Sequence, residues 1–375
     1  MNPCIPDTLP IDNLDWRGIL PKVSRANAAL ARYDGILETL PNPSILLSPM
    51  TANEAVLSSR IEGTQATLDE VLEADAGMVL SELRRGDIEE ISNYRTAVGI
   101  AESALETRGI SLSLIKEVHQ RLLQGVRGRD KSPGDFREDQ NWIGQRGDTI
   151  HNARFVPPNP VVLKTELQNW ETYLSSEDED PILQTAIAHA QFEILHPFKD
   201  GNGRIGRMLI PLILYKRKAL SRPMFYMSQY LEENRTEYYD RLLGITNSGD
   251  WKGWVDFFVA AMTTQAENNL AKVRLIRDLY DETQKQVVDI THSQFSMATV
   301  NTLFEKPVIS STMFADLAGF NNRVTANNML RQLAAENVIT RIREGGGRTP
   351  AVYAFLELVN IAEGRDIFRR RPLKT

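Results

Sequence analysis

The 375-residue sequence has a single cysteine, few aromatic residues (7%) and no long apolar run. The lone cysteine, Cys4, excludes an internal disulfide framework and a zinc cluster held by thiolates. The most apolar window, residues 208–215, is too short to cross a bilayer, so we expect no membrane partner. The first residues lack the basic and apolar segments of a signal peptide, and we therefore expect a cytoplasmic protein.

The composition is that of a soluble globular protein, with 42% apolar and 25% charged residues. Its net charge of −6 is unevenly distributed, since residues 296–375 carry +4 and residues 1–295 carry −10. A mildly basic C-terminal part on an acidic body suits a nucleic-acid-binding appendage, although an excess of four charges also arises by chance on a surface.

Helical periodicity dominates the chain, and no repeat of 20–50 residues is visible. Apolar residues recur at spacings of three and four in most segments, which predicts a mostly α-helical fold. The periodicity fails between Gly125 and Pro160, where two short extended arms predict a β-hairpin flap. We predict five regions: an N-terminal extension (1–48), a helical region (49–120), a core (121–265), a connecting helix (266–295) and a C-terminal domain (296–375).

The C-terminal domain has its own pattern of three helices followed by two extended arms around a glycine-rich tip. This order predicts a winged helix-turn-helix. Arg323 and Arg331 lie on the expected recognition helix, and Arg343 and Arg348 flank the tip of the wing. DNA is one partner that such a domain would take; dimerisation or protein docking is the alternative, and a homodimer also stays open.

The most informative stretch is "HPFKDGNGRIGR", residues 196–207, which interrupts two apolar helices. Pro197 ends the preceding helix, and Gly201 and Gly203 permit backbone conformations in which successive N–H groups point into one concavity. The next helix adds its own unpaired N–H groups and its positive end. The segment therefore predicts a phosphate-binding turn.

The charged residues of this stretch extend the prediction. Arg204 and Arg207 are three residues apart on one helix face and offer forked donors to phosphate oxygens. Asp200 would repel a bare phosphate, but it suits Mg²⁺ that bridges a carboxylate and a phosphate. His196 is then a base beside an activated phosphorus. A solvated helical corner would explain "GNG" alone, but not all twelve residues together.

The twelve residues resemble the signature of the Fic family, H-P-F-x-D-G-N-G-R-x-x-R, at every fixed position. The resemblance implies a Fic-fold helical core that transfers AMP from ATP to a Ser, Thr or Tyr hydroxyl of a target protein and of itself, releasing pyrophosphate. By matching position, His196 would take the hydroxyl proton and Asp200 would hold Mg²⁺. The resemblance also implies phosphate contacts by Gly201, Asn202, Gly203, Arg204, Gly206 and Arg207.

Two further segments resemble the family beyond the signature. "DFREDQNWIG" and "ARFVPPNP" match the hairpin that holds the target segment, with Ile143 and Gly144 as contacts, although the inserted "QRGDTIHN" makes their register uncertain. "EYYDRLLGITNSGDW" matches the segment that closes over adenine and nominates Tyr238, Tyr239 and Asn247. Either tyrosine taken singly is equally well explained as part of a helix core.

"SSRIEG", residues 58–63, is a candidate for a built-in inhibitor. Ser58 and Glu62 are four residues apart and project from one side of a helix, which Gly63 can end. The stretch resembles the Ser/Thr-x-x-x-Glu-Gly/Asn pattern of self-inhibited Fic proteins. A Glu62–Arg207 pair would deny Arg207 to the γ-phosphate and misalign the nucleotide.

Other functions stay open at this point. The same site could release AMP from a modified target, with Glu62 orienting a water molecule, or could use another nucleotide or phosphocholine donor. A nucleotide-sensing, DNA-binding regulator is the alternative outside enzymes, but a pure sensor has no use for a base at His196.

Overall fold

The computed structural model describes residues 2–11, 14–79, 81–144, 147, 149–177 and 179–366. Part of the inserted segment of the predicted flap and the last residues of the predicted C-terminal domain lie outside the described residues. Among the described residues, no helix is both long enough and apolar enough to span a membrane.

Helices make up most of the first 216 residues, as the periodicity predicts. In chain order they are α1 (Trp16–Thr39), α2 (Pro43–Leu46), α3 (Ser48–Ile61), α4 (Leu68–Asp75), α5 (Glu82–Leu105), α6 (Leu112–Leu122), α7 (Pro160–Tyr173), α8 (Pro181–Leu195) and α9 (Asn202–Lys216). The local sequence explains where several of them begin. Thr67 and Glu70 form a capping box at the start of α4, and Asp180 accepts backbone hydrogen bonds at the start of α8, where Pro181 follows.

Three helices follow the central pair. They are α10 (Ser228–Glu233), α11 (Arg235–Ser248) and α12 (Trp251–Thr291). Of the segment that we predicted as a connecting helix, 266–295, residues 266–291 belong to α12, which is 41 residues long, and residues 292–295 follow its end. The short helices α2 and α10 were not predicted, because four and six residues are too few to show a helical period.

The C-terminal residues alternate helices with short strands. The elements are α13 (Ser296–Glu305), β1 (Val308–Ser310), α14 (Ser311–Leu317), α15 (Arg323–Ala335), β2 (Thr340–Arg343), β3 (Val352–Ala354) and α16 (Leu356–Glu363). The three strands form one antiparallel sheet in the order β1-β3-β2, with Val308 paired to Ala354 and Thr340 to Ala354. Three helices followed by two arms were predicted; β1 and α16 were not.

The chain forms two compact units, each assembled from three stretches of sequence. The first contains residues 1–35, 57–64 and 89–268, and the second contains residues 36–56, 65–88 and 269–375. The largest fully buried side chains of the first unit include Trp170, Phe192, Trp254 and Phe258. In the second unit, Phe304 and Phe314 are fully buried.

The pair α8 and α9 forms the centre of the first unit. Nearly every side chain of α8 is buried, and α8 packs along α9. A helix that is apolar on all sides must lie inside the protein. The twelve-residue motif joins these two helices, so its loop is anchored at both ends to the core.

Candidate active site

The turn between α8 and α9 has the backbone geometry that the motif predicts. Helix α8 ends at Leu195, and His196 adopts a left-handed conformation with φ of 46° before Pro197. Gly201 has φ of 79°, a region that favours glycine, and α9 begins at the next residue. The side-chain amide of Asn202 accepts a hydrogen bond from the Phe198 N–H and donates one to the Phe198 carbonyl, both at 2.8 Å. Asn202 therefore closes the loop through its side chain.

The buried histidine His119 packs against the loop between α8 and α9. The ring of His119 stacks on Phe198 with centroids 3.6 Å apart, and its Nε2 donates to the Asp200 carbonyl at 2.9 Å. Its Nδ1 accepts from the Gly134 N–H, so the ring is a neutral tautomer with both nitrogens engaged. Burial lowers the pKa of His119 to about 4, which keeps the ring neutral. His119 and Phe198 thus serve to hold the loop in place.

Arg137, near the start of the first predicted arm of the flap, fixes the turn between α8 and α9. Its buried guanidinium donates to the carbonyls of His196 (2.9 Å), Leu195 (3.2 Å) and Pro158 (2.6 Å). These groups include carbonyls at the end of α8, which the helix itself cannot satisfy. Sequence reasoning missed this role, because one arginine in an irregular segment carries no periodic signal.

His196 lines a large cavity in the first unit. Burial, reinforced by the Arg137 charge and opposed by Glu62, lowers the pKa of His196 to about 4. The imidazole is therefore neutral at neutral pH and able to accept a proton. This is the state that a general base requires.

Arg207 is fully buried and makes three hydrogen bonds to the predicted inhibitory segment. Its Nε donates to the Ser58 hydroxyl at 3.0 Å, and its Nη2 donates to the Ser58 carbonyl and to Glu62 Oε1, each at 2.8 Å. Burial alone would raise the pKa of Glu62, but the Arg207 charge and hydrogen bond hold it below its usual value. Glu62 is thus a carboxylate paired with Arg207 at neutral pH.

Glycine is required at two places around this ion pair. A methyl group at position 203 would stand 2.2 Å from Oε1 of Glu62 and 2.9 Å from Nη1 of Arg207, so a side chain there would displace the pair. Gly63, just beyond the end of α3, has φ of 99°. Its freedom lets the chain turn away directly after Glu62.

Arg204 has a different environment from Arg207. Its side chain is buried, and it donates to Glu90 Oε2 at 3.2 Å and to Asp200 Oδ1 at 3.5 Å. The structure does not place it on the cavity wall, where we predicted a phosphate contact. Three residues along a helix rotate a side chain by about 300°, so the two arginines lie about 60° apart around α9. Glu90, the acidic partner on α5, was not predicted.

Asp200 is the residue that the sequence analysis assigned to magnesium. Its side chain is one-third exposed, its Oδ1 accepts the Gly201 N–H at 2.6 Å, and a methyl group at Gly128 would stand 2.8 Å from Oδ2. A glycine therefore leaves space beside a fixed carboxylate oxygen, which fits a hard cation held by one carboxylate, phosphates and water. Among the described residues, no group of three or more His, Cys, Asp or Glu side chains is arranged to bind a metal.

The cavity has a volume of about 900 Å³ and combines charged and apolar walls. The motif and α8 supply Glu193, Ile194, His196 and Gly203, and Glu62 also lines the cavity. One face of α11 forms a further wall, and its residues follow the helical period: Arg235, Tyr239, Leu242, Leu243 and Thr246. Of these, only Tyr239 was predicted. The volume lies in the range of small-molecule sites.

Two of the predicted adenine contacts lie elsewhere. Tyr238 is fully buried, and its hydroxyl donates to His189 Nε2 at 2.9 Å. Asn247 is exposed. Neither lines the cavity, since Tyr238 is turned toward His189 and Asn247 lies at the surface.

The predicted flap is present as two arms joined by one backbone pair. The Ile143 N–H donates to the Phe155 carbonyl at 2.8 Å, and the Phe155 N–H donates back at 3.0 Å. Ile143 and Gly144 line the cavity. Arg154, on the second arm, forms an ion pair with Asp240 at 2.7 Å and lies over the Tyr239 ring. Within the described residues, this pair is an isolated bridge and not a continuous ladder.

The structure thus brings part of the predicted site to one cavity. The predicted residues on its wall are Glu62, Ile143, Gly144, His196, Gly203 and Tyr239. Arg207 and Ser58 lie behind Glu62 and are joined to it by hydrogen bonds. Gly206 packs in α9, where its carbonyl accepts from His189, and Gly201 and Asn202 shape the loop.

Comparison with known proteins agrees with this architecture. The profile described as Fic/DOC family N-terminal matches residues 20–102, and the profile of the Fic/DOC family matches residues 109–214. The two matches together cover about half of the chain. The chain therefore belongs to the Fic family.

Two relatives show the extent of the sequence similarity. A probable protein adenylyltransferase from Aquifex aeolicus is 30% identical over 182 residues, which are 47% of this chain and 51% of that protein. A protein adenylyltransferase Fic from Aedes aegypti is 32% identical over 151 residues, 40% of this chain and 27% of that protein. The chain thus spans about half or less of the length of these relatives.

Solved structures share the fold at lower identity. A Fic family protein from Desulfovibrio desulfuricans matches with a TM-score of 0.56 and 20% identity, covering 95% of this chain and 98% of that chain. Fic-1 from Caenorhabditis elegans matches with a TM-score of 0.53 and 21% identity, covering 69% and 74%. The mostly helical Fic fold predicted from the sequence is confirmed.

Proposed function

We propose that this protein is a protein adenylyltransferase restrained by its own Glu62. The observation that carries the proposal is the cavity in which a neutral His196 and the Glu62–Arg207 pair lie at one site. Relatives named as protein adenylyltransferases at about 30% identity support ATP as the substrate. The partner would be a target protein with an accessible hydroxyl.

The reaction follows from the positions of these groups. The hydroxyl oxygen of the target attacks the α-phosphorus of ATP, the bond from that phosphorus to the bridging oxygen breaks, and pyrophosphate leaves with the bonding electrons. His196 takes the hydroxyl proton, which its neutral imidazole allows. The backbone N–H groups at the start of α9 would stabilise the negative charge that develops on the α-phosphate.

Asp200 would hold Mg²⁺ at the edge of this loop, beside the space that Gly128 leaves. The ion would neutralise phosphate charge and help to orient the phosphates. Arg207 would bind the terminal phosphates once Glu62 has left it. Arg204, in contrast, keeps its charge paired with Glu90 and holds α9 in place.

Tyr239 and the apolar residues Leu242 and Leu243 would receive the adenine, and Thr246 offers a hydroxyl at its edge. The arm around Ile143 would align an extended segment of the target by strand addition. Trp142 and Ile143 are 45% and 37% exposed, which leaves apolar surface for the side chains of that segment.

Inhibition would act on the position of the nucleotide. Glu62 places a negative charge where a terminal phosphate would bind, and a charge-assisted hydrogen bond of this kind contributes roughly 1.5–3 kcal/mol. In the Glu62→Gly variant we therefore expect labelling by α-³²P-ATP to rise about 10- to 100-fold, since each 1.4 kcal/mol is a factor of ten. Glu237→Gly, at an exposed carboxylate on α11, is the matched control.

Equal labelling of the wild type and Glu62→Gly would contradict the inhibitory role. A Glu62→Gly protein that binds ATP but labels no protein, itself included, would contradict the transfer reaction. Removal of AMP from a modified target is a second candidate, because Glu62 lines the cavity beside His196 and could orient water there. Release of AMP from a labelled target by the wild type, and not by Glu62→Gly, would favour it.

We also propose that the C-terminal domain, residues 296–375, is a winged helix with DNA as its partner. Arg323 and Arg331 are exposed on α15, and Arg348 is exposed at the tip between β2 and β3. Basic side chains on a helix and an adjoining wing suit phosphate contacts. A gel shift with duplex DNA should weaken steeply between low and moderate salt; an absence of binding at low salt would favour protein docking.

A further inference from the structure

A second carboxyl group lies on the cavity wall beside Arg207. Glu193 is on α8, one turn before His196, and lines the cavity. Its Oε1 is buried and has no hydrogen-bond partner within the described part of the chain. A methyl group at Gly206 would stand 2.2 Å from this oxygen, so the carboxyl packs into space that a glycine of α9 leaves open.

The surroundings of Glu193 decide its charge. The titratable and charged groups that face it are Glu62 after α3, His189 on α8, His196 just after α8, Arg207 on α9, and Tyr238 and Tyr239 on α11. Burial raises the pKa of Glu193 to about 8; Arg207 opposes this shift, and Glu62 reinforces it. Glu193 is therefore mostly a neutral acid at neutral pH.

Glu62 and Glu193 differ in how they can be removed from Arg207. Glu62 lies at the end of α3, followed by a glycine turn, and its side chain is 30% exposed. Glu193 lies within α8, and the residues before and after it in this helix are buried, so its backbone cannot move away from Arg207. Only the loss or gain of a proton can change its effect on the guanidinium.

We propose that Glu193 is a positioning residue that controls whether Arg207 is available to the nucleotide. As a neutral acid it leaves the Arg207 charge to the terminal phosphates. As a carboxylate it takes that charge itself, even when Glu62 has left. This inference rests on the proposed function and adds a proton-controlled element to the same site.

The sign of the pH dependence follows from linkage. Phosphates bound at Arg207 place negative charge near Glu193 and raise its pKa, so the bound state keeps a proton that the free state loses. ATP affinity then falls as the pH rises from the pKa of Glu193 in the free protein to its pKa in the ATP-bound protein. The fall is at most tenfold for each pH unit. In Glu62→Gly the fall begins below about 8, because Glu62 no longer raises the pKa.

The test measures dissociation constants by calorimetry in the Glu62→Gly background, from about pH 7 to about pH 9.5 at constant Mg²⁺ and ionic strength. ATP affinity should weaken by about tenfold or more over this range. Adding Glu193→Gln should leave it nearly constant. AMP, which lacks the terminal phosphates, should bind with little pH dependence in either protein.

Glu102→Gln is the matched control. Glu102 is a half-buried carboxyl on α5 whose pKa burial raises to about 7, and it does not line the cavity. In this variant, ATP affinity should still fall at alkaline pH as it does in Glu62→Gly. If Glu193→Gln does not fold, as judged by circular dichroism, Glu193→Met removes the titrating group at similar length.

The outcomes separate the two levels of the argument. The role of Glu193 would be overturned if ATP affinity still fell at alkaline pH after Glu193→Gln was added. It would also be overturned if ATP affinity in Glu62→Gly did not change with pH. Either result would leave the proposed function intact. No ATP binding by Glu62→Gly at any pH would overturn the proposed function and this inference with it.

Discussion

The two ends of the cavity are built in different ways. Behind the wall where we propose that phosphates bind, here called the phosphate end, Arg207, Arg204 and Glu90 are almost completely buried, and each charge has a defined partner. At the flap end, Arg154 and Asp240 are about half exposed, and one backbone pair joins the arms. The difference suits the two tasks that we propose, since a fixed end can align a phosphate, while an exposed end can accept varied protein segments.

The charges at the phosphate end also depend strongly on one another. In a buried site, each charge is stabilised mainly by its neighbours, because little water is present to screen it. Removing one member therefore changes the pKa or the stability of the others. Exposed pairs at the flap end are screened and act nearly independently.

The largest expected effect is at the base. His196→Ala in the Glu62→Gly background should lower AMP transfer by about 10²- to 10⁴-fold, the range for loss of a general base, while ATP binding is retained. The measurement is single-turnover labelling with calorimetric control of binding. Transfer within a factor of about three of the parent would exclude His196 as the base.

The pH profile of the same reaction tests the state of His196. Because burial lowers the pKa of His196 to about 4, the imidazole stays a base down to acidic pH, and removing Glu62 lowers the pKa further. At saturating ATP, kcat of Glu62→Gly should therefore show no acid limb near pH 6.5, the ordinary value for histidine. An acid limb there that His196→Ala removes would contradict this description.

The next effect is on folding. Glu90→Ala leaves Arg204 with a buried and largely uncompensated charge, which costs about 3–5 kcal/mol in the free energy of unfolding. Glu237→Ala removes the acid of an exposed pair on α11 and should cost about 0.5 kcal/mol or less. Urea denaturation of both variants gives the comparison, and equal losses would show that burial is not what distinguishes them.

A smaller effect is expected on the α11 wall. Tyr239→Ala should weaken ATP binding by about 1–3 kcal/mol, the contribution of one base–aromatic stack, whereas Asn247→Ala should leave it unchanged. Calorimetry on the Glu62→Gly background measures both. A loss at Asn247 and none at Tyr239 would mean that the nucleotide lies on another face of α11.

The smallest effect is at the flap. Arg154→Ala should lower stability by only about 0.2–1 kcal/mol, because the Arg154–Asp240 pair is exposed. A loss above about 2 kcal/mol in urea denaturation would show that the flap is as tightly coupled to its neighbours as the phosphate end.

The sequence by itself determined the helical class of the protein and the position of the loop between α8 and α9. Helical periodicity and the Pro and Gly residues of the motif act over a few residues, so they can be recognised without knowledge of distant contacts. The motif also located His196, and the four-residue spacing of Ser58 and Glu62 predicted the side that faces Arg207.

Only the tertiary structure decided which of these residues reach the cavity. It paired Arg204 with Glu90, 114 positions away, and brought Arg137 to the end of α8. It also turned Tyr239 toward the cavity and Tyr238 toward His189. The fold also raises the pKa of Glu193, chiefly by burying its carboxyl and secondarily by bringing Glu62 near it. Burial and charge pairing depend on what the rest of the chain packs against each side chain, and local sequence carries no record of that.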